Sequence, residues 1–154
     1  VKGFYENNDF KRLIIKAFDI KKKTNLKNSL KKKILERKSN IEKLEKIIHP
    51  LVRKEMKKFS TLHKKKKKIF FKKLLLIESK LMKYFDVIIF IKAKRRIRLK
   101  RFKANGGDKK LFIILNNKQF SDQKKAKFSD YVVVNEKNLN ILKKNLLGII
   151  KSYA

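Results

Sequence analysis

The chain has 154 residues, 42% of them hydrophobic, which is enough for one domain with a core and too apolar for a charged disordered tail. Its 46 basic and 13 acidic residues leave a formal net charge of +33, which admits RNA, DNA, anionic lipid and nucleotide phosphates as partners without choosing among them. With no Cys there is no disulfide, thiolate nucleophile or thiolate-held metal, and with only two His, His49 and His63, no metal-ligand set is expected.

The basic residues are mostly Lys, in the company of many Ile, Asn and Phe. Two readings of that excess stay open. Lysines accumulate on any tolerant surface when coding drifts toward adenine and thymine. Alternatively, the surface serves a polyanion, a task for which the planar fork of Arg is the better tool. The longest apolar runs, Leu74 to Ile77 and Val87 to Ile91, fall far short of the ~20 residues that cross a bilayer, so no membrane span is expected. No secretory signal is read at Val1, and a reducing, cytoplasmic setting is the expectation.

In chain order, Phe10 to Ile20 carries Leu13, Ile14, Ala17 and Phe18 at helical spacing, with Asp9 placed to cap the first turn. Lys21 to Ser29 suits a polar connection. A second helical pattern runs from Leu30 through Ile34 and Leu35 to a break near Ser39-Asn40. A third starts at Ile41 and carries Leu44, Ile47 and Ile48. Pro50 lacks a backbone donor, which predicts a kink or a new helix start before Leu51, Val52 and Met56 resume the apolar face. Lys64 to Lys68 reads as a solvated turn, with His63 exposed beside it.

The second half changes period. Ile69 to Phe71 and Leu74 to Ile77 are short apolar runs that could supply a further strand, and Val87 to Ile91, after Asp86, is a buried-type strand. Lys94 to Lys103 is helical and stops at Asn105-Gly106-Gly107, residues that accept a left-handed backbone. A lysine-rich helix or loop reaches Phe128, Tyr131 to Val134 is a short strand, and Leu139 to Tyr153 is a final amphipathic helix. Strands alternating with helices predict parallel pairing through crossovers, below an all-helical first half.

Three stretches together resemble the dephospho-CoA kinase family of P-loop kinases. The first is Leu44-Glu45-Lys46-Ile47-Ile48-His49-Pro50-Leu51-Val52-Arg53, similar to the family's "LE-x-IIHPLVR" segment beside the acceptor, with the match extending back to about Asn25. The second is Leu75-Leu76-Ile77-Glu78, then Tyr84-Phe85-Asp86-Val87-Ile88, then a helix on which Arg101 falls at the first lid-region arginine. The third is Gln119, Lys125 and Ser129-Asp130-Tyr131-Val132-Val133-Val134-Asn135, similar to the pattern beside the adenine. The resemblance covers roughly Asn25 to the C-terminus.

The resemblance implies an α/β class and a partial P-loop kinase fold: a parallel sheet flanked by helices, with a helical substrate-side region at residues 9–62 and the remaining sheet, lid and C-terminal helix at 69–154. It implies transfer of the ATP γ-phosphoryl to the 3′-hydroxyl of dephospho-CoA with Mg2+ as cofactor. It places His49, Arg53 and Glu78 at the substrate, Arg101 at phosphate, and Gln119, Lys125 and Asn135 on the nucleotide side, with no residue in a covalent catalytic role. From the residues alone, His49 could equally cap or pack, Arg53 and Arg101 could be surface cations, Glu78 could end a strand, and Asn135 could be an ordinary turn residue.

The departures are as informative. The family's glycine-rich loop ending in Gly-Lys-Ser/Thr does not occur in the chain, and Gly106-Gly107 has no Lys-Ser or Lys-Thr after it. Lys72 stands at the family's Asp position, Leu74 at its Pro, and Asn105 at its second lid arginine. The expectation is a truncated or degraded member, negligible kinase activity in the isolated chain, and exposed sheet edges that lower solubility. Polyanion (RNA) binding or a non-catalytic structural role is the alternative.

Overall fold

The computed structural model describes residues 8–21, 25–37, 39–72 and 75–153, and it divides into two compact units, 1–72 and 73–154. The first unit is helical, as its periodicity predicts: α1 (Asn8–Phe18), α2 (Leu26–Glu36) and α3 (Ser39–Leu62). Asp9 lies inside the first turn of α1 and not before it. The buried stripe of α1 is Phe10, Ile14 and Phe18, one residue every fourth position, so that Leu13 is left exposed. These three pack with Ile20, Leu30, Ile34 and Ile41 to form the core of the unit. Asp19 takes a left-handed backbone at φ 49° and lets the Ile20 N–H reach the Ile15 carbonyl, which ends the helix.

Two boundaries differ from the sequence expectation. The polar stretch after Lys21 gives way to α2 already at Leu26, because the Asn25 side chain accepts from the Asn28 N–H and caps the first turn. Helix α3 runs on through Pro50 for 24 residues without a new start. Lys46 and Pro50 are both exposed, so the bond that Pro50 cannot make is missing from the solvent side of the helix, where its loss is least costly. His63 is half-buried, with its ring 4.3 Å from that of Phe59, whereas Lys64 to Lys67 form the exposed turn the lysine run predicts.

The second unit orders β1 (Ile89–Lys92), α4 (Arg95–Ala104), α5 (Lys109–Asn117), α6 (Asp122–Lys127), β2 (Tyr131–Val134) and α7 (Leu139–Lys151). The strands pair in parallel, from Ile89 opposite Tyr131 to Lys92 opposite Val134. Among the described residues these are the only strands: Ile69 to Phe71 has no regular structure and Leu75 to Lys80 is a turn, closed by a bond from the Leu81 N–H to the Leu76 carbonyl. Leu74 lies outside the described residues. The core gathers Ile77, Leu81, Ala93, Phe112 and Val133. Tyr153 after α7 and Tyr131 on β2 meet edge-to-face, with their hydroxyls 3.1 Å apart. Among the described residues no helix is long and apolar enough to cross a membrane.

Helix α4 stops where the sequence says it should. The Gly106 N–H bonds the Lys103 carbonyl and the Gly107 N–H the Phe102 carbonyl, the paired closure of a left-handed stop, with Gly106 at φ 75°. Asn105 is the C-cap, and its amide Nδ2 donates to the Arg101 carbonyl at 2.8 Å, an ordinary structural use for the position read as a lost lid arginine. The two glycines are needed for different reasons. A Cβ on Gly106 meets open space and costs only left-handed strain, whereas one on Gly107 runs into the Phe102 ring and lies 2.6 Å from the Phe102 carbonyl. Gly106→Ala is therefore expected to lower unfolding stability by about 1 kcal/mol. Gly107→Ala is expected to cost more, about 1–3 kcal/mol. Urea denaturation of the two variants measures that order, and a milder effect at Gly107 contradicts the clash.

Candidate functional site

Parallel pairing brings the carboxyl ends of both strands to one edge of the sheet, the edge where open α/β folds bind ligands. The Asn135 N–H continues the ladder to the Lys92 carbonyl at 2.7 Å. At the opposite end the Asp130 carboxylate accepts from the Ile88 N–H at 2.7 Å, which fixes the register. Beyond the carboxyl ends, Glu136 accepts from the Lys94 N–H at 3.0 Å and pairs with the Lys94 ammonium at 3.2 Å. Arg101, on α4, donates from Nη1 to the Asn135 carbonyl at 2.9 Å. Two residues singled out in the sequence, Arg101 and Asn135, are thus brought together. The Asn135 Oδ1 is buried and has no hydrogen-bond partner.

Three others form a second cluster. Lys125 is 7% exposed, the one buried charged side chain among the described residues, and its ammonium donates to the Gln119 Oε1 at 2.6 Å. It also sits 5.4 Å from the centre of the Phe90 ring on β1. Burial pushes its pKa below the ordinary lysine value, opposed by the carboxylates of Glu78 and Asp122 and assisted by Arg98. Glu78 ends no strand. Its carboxylate accepts from the Phe120 N–H at 2.8 Å and so holds the connection between α5 and α6 from across the unit. The Ser121 Oγ accepts from the Lys124 N–H at 3.2 Å and caps α6. Glu78 and Lys125 together fix the backbone and the side chain of residues 119–120.

Beside this network lies a cleft of about 340 Å³ lined by Lys92, Arg98, Asn116, Gln119, Phe120, Ser121, Asp122 and Gln123. Of these, sequence reasoning singled out Gln119 alone. Arg98 had no distinguishing mark in the run from Arg95 to Lys103, and its place one turn before Arg101 on α4 was the one available signal. Its Nη2 is 3.9 Å from the Asp122 carboxylate, and its Nε is buried without a partner. His49 and Arg53 lie one turn apart on α3 in the first unit, His49 half-buried and Arg53 exposed. His49 sits in the middle of a helix, so it caps nothing. Lys72 is exposed at the end of the same unit.

The network predicts two measurements. Glu78→Ala leaves the Phe120 N–H without its acceptor and is expected to cost about 1–3 kcal/mol, while Glu78→Gln, which keeps an acceptor oxygen, should cost less than half as much. Because the folded pKa of Lys125 is lowered, the unfolded chain binds the extra proton between that value and the ordinary lysine value of 10.5, and there stability from this group rises with pH. Lys125→Met should flatten that alkaline rise in a series of denaturation curves, and an unchanged slope would count against the burial.

The family described as dephospho-CoA kinase matches residues 12–140. A dephospho-CoA kinase of Bartonella henselae is 34% identical over 116 residues, covering 73% of this chain and 59% of the relative. One of Bartonella quintana is 31% identical over 126 residues, covering 80% and 65%. The chain thus spans about three fifths of the length of these curated relatives. With its α/β architecture and parallel sheet, and with the match running from α1 to the start of α7, the chain belongs to the dephospho-CoA kinase family.

Proposed function

We propose that these 154 residues form the acceptor-side, lid-side and base-side part of a dephospho-CoA kinase, whose reaction passes the ATP γ-phosphoryl to the ribose 3′-hydroxyl of dephospho-CoA. The observation that carries this reading is the convergence of Glu78, Gln119 and Lys125 in one hydrogen-bonded network. Gln119 and Lys125 are six positions apart, whereas Glu78 reaches Phe120 from 42 positions away, and the three meet beside the carboxyl edge of a parallel sheet. Phosphoryl transfer asks a protein chiefly for alignment and for compensation of phosphate charge. On this reading Lys125 and Glu78 hold residues 119–120 in place at the nucleotide, Arg101 and Asn135 brace the strand end, and His49 and Arg53 serve the acceptor. A cytoplasmic setting belongs to the same reading.

Magnesium in such reactions bridges phosphate oxygens and is held largely by them. Among the described residues no group of three or more His, Asp or Glu is gathered to hold a metal ion, so the residues do not fit a protein-held ion and no step is assigned through one. These 154 residues contain no Gly-Lys-Ser/Thr loop, and their paired glycines end α4. Negligible transfer by these residues alone is therefore expected. A coupled assay of the purified chain with ATP, dephospho-CoA and Mg2+, using host-kinase-free material, should stay at background, while calorimetry should still register dephospho-CoA or ATP binding. Robust coenzyme A formation overturns the first expectation, and binding of neither ligand overturns the assignment of these residues to substrate.

A second reading draws on one place. The exposed lysines of residues 64–67 adjoin a cleft of about 290 Å³ lined by Phe59, His63, Lys66, Lys68, Ile69 and Phe70, a mixture of cations and rings that suits single-stranded nucleic acid. Binding to unrelated RNAs that weakens steeply with salt supports it, and no uptake at low salt rejects it.

A further inference from the structure

The geometry points to Arg98, together with Lys92, as a phosphoryl-binding pair of this chain, set in the cleft between the carboxyl end of β1 and the α5–α6 connection. The proposal rests on the kinase reading only for the source of the phosphoryl group, which could equally be a nucleotide or a free polyphosphate.

The two arginines of α4 that stand one turn apart have different commitments. Arg101 is exposed and spends Nη1 on the Asn135 carbonyl, where it ties the helix to the end of β2. Arg98 has a side chain only 29% exposed, lines the cleft, and keeps a buried Nε–H with no acceptor. A guanidinium cannot shed its charge to escape this situation. The cost of an unsatisfied buried donor is about 1–3 kcal/mol, and because the Nε has no accessible surface the side chain must turn for an acceptor in the cleft to offset it. Asp122 does not serve: at 3.9 Å from Nη2 it lies beyond hydrogen-bonding distance.

Three more lining groups offer donors. Gln119 gives its oxygen to Lys125, which leaves the amide nitrogen as the part of the group that can meet a ligand. Ser121 uses its oxygen as an acceptor for the Lys124 N–H, and its own proton remains to be donated. Lys92, at the last position of β1, adds a second cation. Two cations against the single carboxylate of Asp122 leave the lining net positive by one charge. A phosphoryl oxyanion, which brings only acceptors and negative charge, complements such a lining, and the cleft has the volume to take it.

The test follows the arginine Nε–Hε signals of the 15N-labelled 154-residue chain during titration with pyrophosphate, tripolyphosphate and ATP at near-physiological salt. The Arg98 signal should move saturably with all three. Arg98→Gln should weaken pyrophosphate binding by about tenfold or more, while the surface control Lys144→Gln should change it by less than about threefold. Asp122→Asn, which removes the only acid of the cleft, should tighten binding and so tests the site even if Arg98→Gln fails to fold. Equal losses in Arg98→Gln and Lys144→Gln, or no saturable binding, overturn the proposal. An Arg101 signal that moves while that of Arg98 stays still also overturns it. ATP binding that ignores Arg98 overturns the proposal and leaves the kinase reading standing. Tripolyphosphate bound through Arg98 as tightly as ATP supports the proposal and counts against the nucleotide as its ligand.

Discussion

A parallel ladder of four residues on each strand governs the second unit. The register from Ile89 opposite Tyr131 to Lys92 opposite Val134 decides which side chains share the carboxyl edge. A slip of one residue would turn Val133, the buried member of β2, outward and carry Asn135 away from the Lys92 carbonyl. So short a ladder does not hold its own register, and the fixing comes from its ends. The Asp130 carboxylate clamps the Ile88 N–H below, and above it Glu136 clamps the Lys94 N–H while Arg101 holds the Asn135 carbonyl. Polar groups outside the strands thus do the work that cross-strand packing does in a larger sheet.

The elements themselves were largely legible in the sequence, since period, caps and stops are local properties. Asn105-Gly106-Gly107 announces the end of α4 because only a left-handed residue allows the paired closure seen there. Val87 to Ile91 and Tyr131 to Val134 read as strands from their β-branched runs, and their parallel pairing follows from the helices between them. The failures have local physical causes too. Pro50 breaks the rule against proline in helix interiors at a position where both it and Lys46 face solvent, so the missing bond is cheaply replaced. The apolar run through Leu75 to Ile77 has strand composition but closes as a turn, with Ile77 sent into the core and Glu78 toward the α5–α6 connection.

The site was legible as a set of residues and not as an arrangement. Glu78, Gln119 and Lys125 could be named from the resemblance, and nothing in their spacing says that a carboxylate would hold a backbone N–H 42 positions away. Nor does composition reveal which of so many lysines is the buried one. Lys125 is selected by its place on α6 facing β1, with Phe90 beneath it and Gln119 beside it. In a chain of net charge +33, cations are uninformative as residue types and become informative only through burial and partners.

The same logic separates the functions open to a cation. A lysine buried against a ring and bonded to an amide oxygen costs desolvation and returns positional order, which is why Lys125 reads as a support for the α5–α6 connection. Arg101 spends one of its N–H donors on a backbone carbonyl and is otherwise exposed to solvent. A cation fit for an incoming anion must instead be held in place while keeping donors in reserve. Arg98 on α4 is part-buried with its Nε unpaired, and Asp122 is close enough to moderate its charge and too far away to consume its hydrogens. Part-burial at the cleft with an unpaired donor, and not charge alone, distinguishes the residue of this helix proposed to meet a phosphoryl group.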